Sequence, residues 1–164
     1  MPTQQGDLAL LDDPIAQQLL YSAQMAQLAY TWTDGSPRVV PIWFHWDGQQ
    51  IVLGTPADAP KVAVLRASPR VALSIEDGRS WPYKALLIRG TAEVQIHDGM
   101  VPEYLAAARR YLGSEQGEGW VAQAQQLVPQ MARIAITPEW VGILDFEQRF
   151  PSALEKAMAT AQTA

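Results

Sequence analysis

The sequence predicts an α+β protein of mainly β character: a small closed or nearly closed antiparallel β-barrel with helices packed around it. Three observations predict it. Asp-Gly pairs at Asp34-Gly35, Asp47-Gly48 and Asp77-Gly78 stand between β-rich runs, the short-range signature of hairpins. Those runs alternate in polarity; Val71, Leu73 and Ile75 point one way along "RVALSIE". The order of elements is helix, three strands, short helix, two strands, two helices, strand and tail, which favours successive antiparallel pairs around one barrel.

The elements follow in turn. "DPIAQQLLYSAQMAQLAY" starts a helix: Asp13 is a cap, Pro14 suits the first helical position, and Ile15, Leu19, Leu20 and Met25 recur at helical spacing, to about Met25 or Ala26. "QLAYTWT" is a strand before the turn "DGSP". "RVVPIWFHW", Arg38 to Trp46, reads as one strand, with Ile42, Phe44 and Trp46 on one face and Trp43 and His45 on the other. Pro41 has no N–H for a ladder, so it belongs at an edge, a bulge, or where a ligand replaces a neighbouring strand. "QQIVLGT" completes the hairpin. A short helix runs from a cap at Asp58, with Pro60 in its first turn, to just before Pro69. "YKALLIRGTAEVQI" is a long strand in which Gly90 marks a bulge or close approach, and His97 lies in the turn beyond it. "VPEYLAAARRYLG" is a helix with Val101, Tyr104, Leu105, Ala108 and Leu112 on one stripe, stopped by Gly113. "GEGWVAQAQQLVPQ" is a shorter helix. "ARIAITPEWVGILDF" is the last strand, interrupted at Thr137-Pro138. No repeat or linker divides the chain, so residues 1–164 are expected to form one domain, with an N-terminal helical segment over 1–26 and a helix-compatible tail over 148–164.

Composition narrows the function. The 164 residues are 48% hydrophobic and 18% charged, long enough and apolar enough for a real core. The net charge of −5 argues against nucleic acid as the main partner. With no cysteine, disulfides, thiolate metal sites and cysteine nucleophiles are excluded, and two histidines make a His-rich metal site unexpected. The N-terminus has no basic start and meets two aspartates, unlike a signal peptide, and no apolar run reaches membrane-spanning length. A cytoplasmic protein without a membrane partner is the expectation.

The stretch "DGSPRVVPIWFHWDGQQIVLGTPADAPKVAVLRASPRVALSIED" resembles the pyridoxamine 5′-phosphate oxidase-like family of FMN-binding split barrels. Three features stand in the family's order: "DG-x-P-x-x-x-P-x-W-F" on a strand, a strand ending in Thr before a short helix with a lysine, and "L-R-x-x-P-R-V-A-L". The resemblance covers residues 25 to 98, and "ARIAITPEWVGILDF" is similar to the family's last barrel strand. It implies an antiparallel split barrel of six or so strands with peripheral helices, and a homodimer with the cofactor at the subunit interface. It implies FMN as cofactor, Thr55 and Lys61 at its phosphate, Val62 as a further cofactor contact, and Val40, Pro41, Ile42 and Trp43 along its ring. A helix N-terminus with a lysine and a hydroxyl is physically suited to phosphate. Trp81 is expected to contact a ligand or a second subunit; Trp140 is either core or reaches the partner's cofactor. The family often has Ser where this chain has Ala59, and a second basic residue where it has Ala63.

The implied activity is a flavin-dependent oxidoreductase passing hydride to or from a small molecule. The alternatives are a reductase using the deazaflavin coenzyme F-420, whose acidic tail calls for extra basic residues, and a non-enzymatic flavin- or haem-binding barrel. Trp32, Trp43 and Trp46 are by default core or interface residues. Arg66 and Arg70 read as helix-end or solvent-facing, His45 as structural, and Glu76 with Asp77 as a strand end. No side chain is a convincing acid or base, so no catalytic residue is named.

Overall fold

The computed structural model describes residues 3–162, so the outermost positions of the expected N-terminal segment and tail lie outside it. A 3-10 helix, Leu8–Asp12, and α1, Pro14–Leu20, come first. Asp13 caps α1 as the sequence predicts, its Oδ1 accepting from the Ile15 N–H at 2.9 Å with Pro14 in the first turn. The helix stops at Leu20 rather than at Met25 or Ala26. Distant side chains take the carbonyls beyond it: Arg110 Nε donates to Ser22 O at 2.8 Å, and the Tyr111 hydroxyl donates to Gln24 O at 2.9 Å.

There follow β1 (Ala26–Thr31), β2 (Pro37–Ile42), β3 (His45–Trp46), β4 (Ile51–Pro56), α2 (Pro60–Ala67), β5 (Arg70–Asp77), β6 (Lys84–Asp98), α3 (Pro102–Leu112), α4 (Ser114–Leu127), β7 (Gln130–Leu144) and α5 (Ser152–Gln162). All seven strands form one antiparallel sheet in the order β2-β1-β5-β6-β7-β4-β3. This is the predicted α+β class. The count is seven because the run expected as one strand is two, separated by Trp43 and Phe44.

That break governs the architecture. The sheet's two edge strands, β2 and β3, are consecutive in the chain. One bent segment thus serves both edges: Val40 stands opposite Leu28 of β1, and His45 opposite Val52 of β4. The barrel is closed by the covalent chain while its hydrogen-bond ladder stays open along one seam. Pro41 lies on the free edge, where a residue without N–H costs nothing to the ladder.

The interior follows the predicted alternation. Val71, Leu73 and Ile75 are buried, as are Phe44 and Trp46, around a cluster with Leu28, Leu53, Leu86 and Ile134. Ile42 is half-buried against that cluster, while Trp43 and His45 face the other way. At Gly90 the β6–β7 register shifts, with Arg89 opposite Trp140 and Gly90 opposite Pro138, so Glu139 is the extra residue of a bulge. The bulge absorbs Pro138, and β7 continues where an interruption was expected.

Four expectations are corrected. Asp58 does not cap α2; Ala59 occupies the N-cap and offers no side-chain hydrogen bond. His97 belongs to β6, paired with Met131, because the strand runs two residues further than its apolar pattern. On α3, Val101 precedes the helix and the fully buried residues are Ala107 and Ala108, since α4 packs so close that a Cβ on Gly117 would meet Ala108 O at 2.8 Å. The helix α4 begins at Ser114, earlier than its apolar pattern indicates, because it follows Gly113 directly.

A Cβ on Gly90 would lie 2.2 Å from the backbone oxygen of Thr137, whereas one on Gly78 meets nothing within 4 Å. In urea denaturation, Gly90→Ala is expected to lose about 3 kcal/mol, and Gly78→Ala to stay within roughly 0.5 kcal/mol of wild type.

Candidate functional site

Antiparallel pairing in β3–β4 sets Trp46 against Ile51 and His45 against Val52. Continued, that register would place Trp43 against Gly54, Ile42 against Thr55 and Pro41 against Pro56. Instead the hairpin opens, and these six residues line a cavity of about 520 Å³. Two of the six are prolines, which cannot donate to a ladder. The side chain of Trp43 is braced by α3: it stacks on Tyr111 at 5.2 Å between centroids, 11° from parallel, and lies 6.0 Å from Tyr104.

The far wall comes from α3 and α4. Tyr104, Trp120, Gln123 and Leu127 line the cavity there, joined by Met100 from the segment before α3 and by Met131 at the start of β7. Gly54 lets this wall approach, since a Cβ there would lie 2.8 Å from Met131 Sδ and 2.9 Å from Tyr104 Cδ2. Trp120 Nε1 donates to the Tyr104 hydroxyl at 2.9 Å, which joins the two helices across the rim. Arg110 holds α3 to the bent strand. Its guanidinium donates to the carbonyls of Ser22 and Phe44 and lies over the rings of Phe44, at 4.7 Å, and Tyr111, at 4.9 Å.

At the other end, β4 runs into α2. Thr55 is almost fully buried, and Lys61, in the first turn of α2, is half-buried. Among the described residues Lys61 makes no ion pair and is the one charged side chain lining the cavity. Burial pushes its ammonium below the usual lysine range. With Ala59 at the N-cap, the first turn of α2 has no side-chain acceptor. A half-desolvated cation, a buried hydroxyl and an uncapped helix start together form an anion-receptive corner.

The charged groups beside the cavity are engaged. Glu103 pairs with Arg133 at 2.8 Å; burial alone would raise its pKa, but hydrogen bonding from Arg133 and the nearby His45 hold it below the usual range. Burial first, then the Arg110 charge, push the His45 imidazole down. Asp77, far from the cavity, is held at about 2 chiefly by its hydrogen bond from Arg79.

Of the residues singled out in the sequence, Val40, Pro41, Ile42, Trp43, Thr55 and Lys61 meet in this cavity. Three do not. Val62 turns into the core side of α2. Trp81 joins Tyr83, Phe146 and Phe150 in an aromatic cluster on the C-terminal segment. Trp140 lies on the outer face of the sheet, 4.1 Å beneath Arg89, covering Gly6 and Gly142. Sequence reasoning missed the helical wall. Its one signal is Trp120, a large aromatic in the otherwise small and polar "SEQGEGWVAQAQQL".

This architecture, a barrel opened along one seam, is that of the split β-barrels. The sequence profile of the pyridoxamine 5′-phosphate oxidase family matches residues 13–145, and the chain belongs to that family. Among solved structures, an F420 reductase is 27% identical, covering 79% of this chain and 95% of its own, with a TM-score of 0.57. A conserved hypothetical protein from Mycobacterium tuberculosis is 21% identical over 92% of this chain and 99% of its own, at a TM-score of 0.67. A FAD-binding protein from Mesorhizobium loti is 18% identical over 77% of this chain and 87% of its own, at 0.53. The last two show the shared fold. Comparison with curated proteins gives no match.

Arg110→Ala leaves the Ser22 and Phe44 carbonyls without this donor. It is expected to lose about 3 kcal/mol in denaturant melts, and Arg110→Lys to recover only part, since an ammonium cannot fork to both carbonyls and stack.

Proposed function

We propose that the protein binds FMN in the opened seam and acts as an oxidoreductase on a small molecule. The observation that carries this reading is Lys61: a half-buried cation without a carboxylate partner among the described residues, at the polar end of an otherwise apolar slot. Such a cation calls for an anion, and Thr55 with the uncapped start of α2 adds donors of the kind phosphate accepts. The remaining lining suits a flat ring. Val40, Pro41 and Ile42 offer the unpaired edge of β2, whose backbone groups can meet the polar rim of a flavin, and Trp43 offers an aromatic face.

When bound, the flavin supplies hydride chemistry. The chain's own part is to hold the phosphate, orient the ring against the strand edge, and exclude water with the α3–α4 wall. Among the described residues the lining holds no carboxylate and no imidazole, so we assign no proton donor. The reading includes a second copy of the chain at the cofactor, with Trp81 and Trp140, both remote from this chain's own cavity, as the groups that meet it.

A deazaflavin is the second reading, favoured by the 27% identity to an F420 reductase. The single cation in the lining favours the cofactor with the shorter anionic tail, and Ala63 is exposed and uncharged where a second basic residue is common.

Fluorescence titration with FMN and with coenzyme F-420 tests the choice. FMN is expected to bind more tightly, and Lys61→Ala to weaken it about ten- to hundredfold. Equal FMN affinity in the two proteins contradicts the phosphate site. The pH dependence has a defined sign. Burial lowers the pKa of Lys61 in the free protein and a bound phosphate restores the charged form. FMN affinity is therefore greatest below that lowered pKa and falls as pH rises through it. Titrations across alkaline pH should show this slope in wild type and a flat profile in Lys61→Ala.

A further inference from the structure

We propose that the substrate of this site is an uncharged, largely apolar molecule with an apolar extension that leaves the cavity over Met25, Trp120 and Leu127. The assignment of Lys61 to the cofactor rests on the flavin reading above; the rest stands on the cavity.

Lys61 is the one charged lining residue among those described, and the cofactor phosphate occupies it. A phosphorylated or carboxylated substrate would then enter an apolar space with no cation to receive it, and an unpaired buried anion is costly. Neutral polar groups are few as well: Trp120 Nε1 is already engaged with the Tyr104 hydroxyl. The wall is built for apolar contact. Of the chain's five methionines, Met25, Met100 and Met131 line this one cavity. Unbranched, polarizable side chains adapt to ligands of irregular shape.

The rim gives the extension. Large apolar side chains ring the mouth while open to solvent: Met25 is 41% exposed, Trp120 44% and Leu127 77%. They are continuous with the apolar lining and come from two places, Trp120 and Leu127 from α4 and Met25 from the segment before β1, so the patch belongs to the mouth and not to one helix face alone. A ligand confined to the cavity would leave that surface wet; one with an alkyl or similar tail covers it.

The test uses purified protein with and without saturating FMN. It is titrated with para-alkylphenols (ethyl, butyl, hexyl) by displacement of N-phenylnaphthylamine fluorescence, and the FMN-loaded sample also with the matching para-alkylbenzoates. The proposal expects Kd for the phenols to fall about fourfold per added methylene, and the benzoates to bind the loaded protein about tenfold more weakly. Leu127→Asp, a change at an exposed rim position, should flatten the chain-length slope while the ethyl compound binds as before. A flat slope in wild type, benzoates bound as tightly as phenols, or a Leu127→Asp effect on oligomeric state with the slope intact would overturn the proposal. FMN uptake is read separately, from its absorbance. A sample that takes up no FMN contradicts the flavin reading, and the phenol slope on that same sample still decides the role of the rim.

Discussion

Pro41 and Pro56 carry no N–H, and the register of the β3–β4 hairpin would set them opposite one another. A ladder extended to that point would lack donors on both strands, so the hairpin parts after His45 and Val52. The cavity is arranged around that parting. The bent strand still completes the barrel, through β1 on one side and β4 on the other, so the core stays closed while the surface gains a slot. Strand edges are usually a hazard because unpaired backbone groups invite another chain. Here the unpaired edge is short, carries a proline, and lies beside a cavity that a planar ligand can fill.

A seam held open needs something to brace it, and α3 is the brace. A stripe of side chains along one helix meets the strand break: Glu103 and Tyr104 near its start, Arg110 and Tyr111 near its end. Arg110 ties the segment before β1 to the segment between β2 and β3, and Tyr111 both stacks on Trp43 and anchors Gln24. These are hydrogen bonds from a charged or aromatic group to partly buried backbone, which are individually stronger in effect than exposed ion pairs such as Arg109–Glu118. The geometry of the slot and the stability of the barrel are therefore coupled, since the groups that shape the first also secure the second.

Much of this was legible in the sequence, and the reasons are physical. Period-two alternation and Asp-Gly turns are local, so β5, the β3–β4 turn and the inward set Val71, Leu73 and Ile75 could be read directly. Asp13-Pro14 marked the start of α1 for the same reason. The bend at Trp43-Phe44 was harder, because alternation continues through it: Phe44 and Trp46 are buried just as one straight strand would bury them. The early end of α1 depended on Arg110 and Tyr111, about ninety residues away, and no local pattern carries that information. The site divided in the same way. Residues lining the seam itself, from Val40 to Trp43 with Thr55 and Lys61, were singled out through a sequential motif. The wall of Tyr104, Trp120 and Leu127 was not, since it exists only once two helices have packed through Gly117.

The central claim is that the opened hairpin is the seat of a flavin. A crystal structure of the protein grown with excess FMN tests it most directly. The account predicts the phosphate within hydrogen-bond reach of Lys61 Nζ and Thr55 Oγ1, and the ring against the β2 edge beside Trp43. A ring bound elsewhere, or a seam closed over by the protein's own side chains with Lys61 turned to solvent, would contradict it.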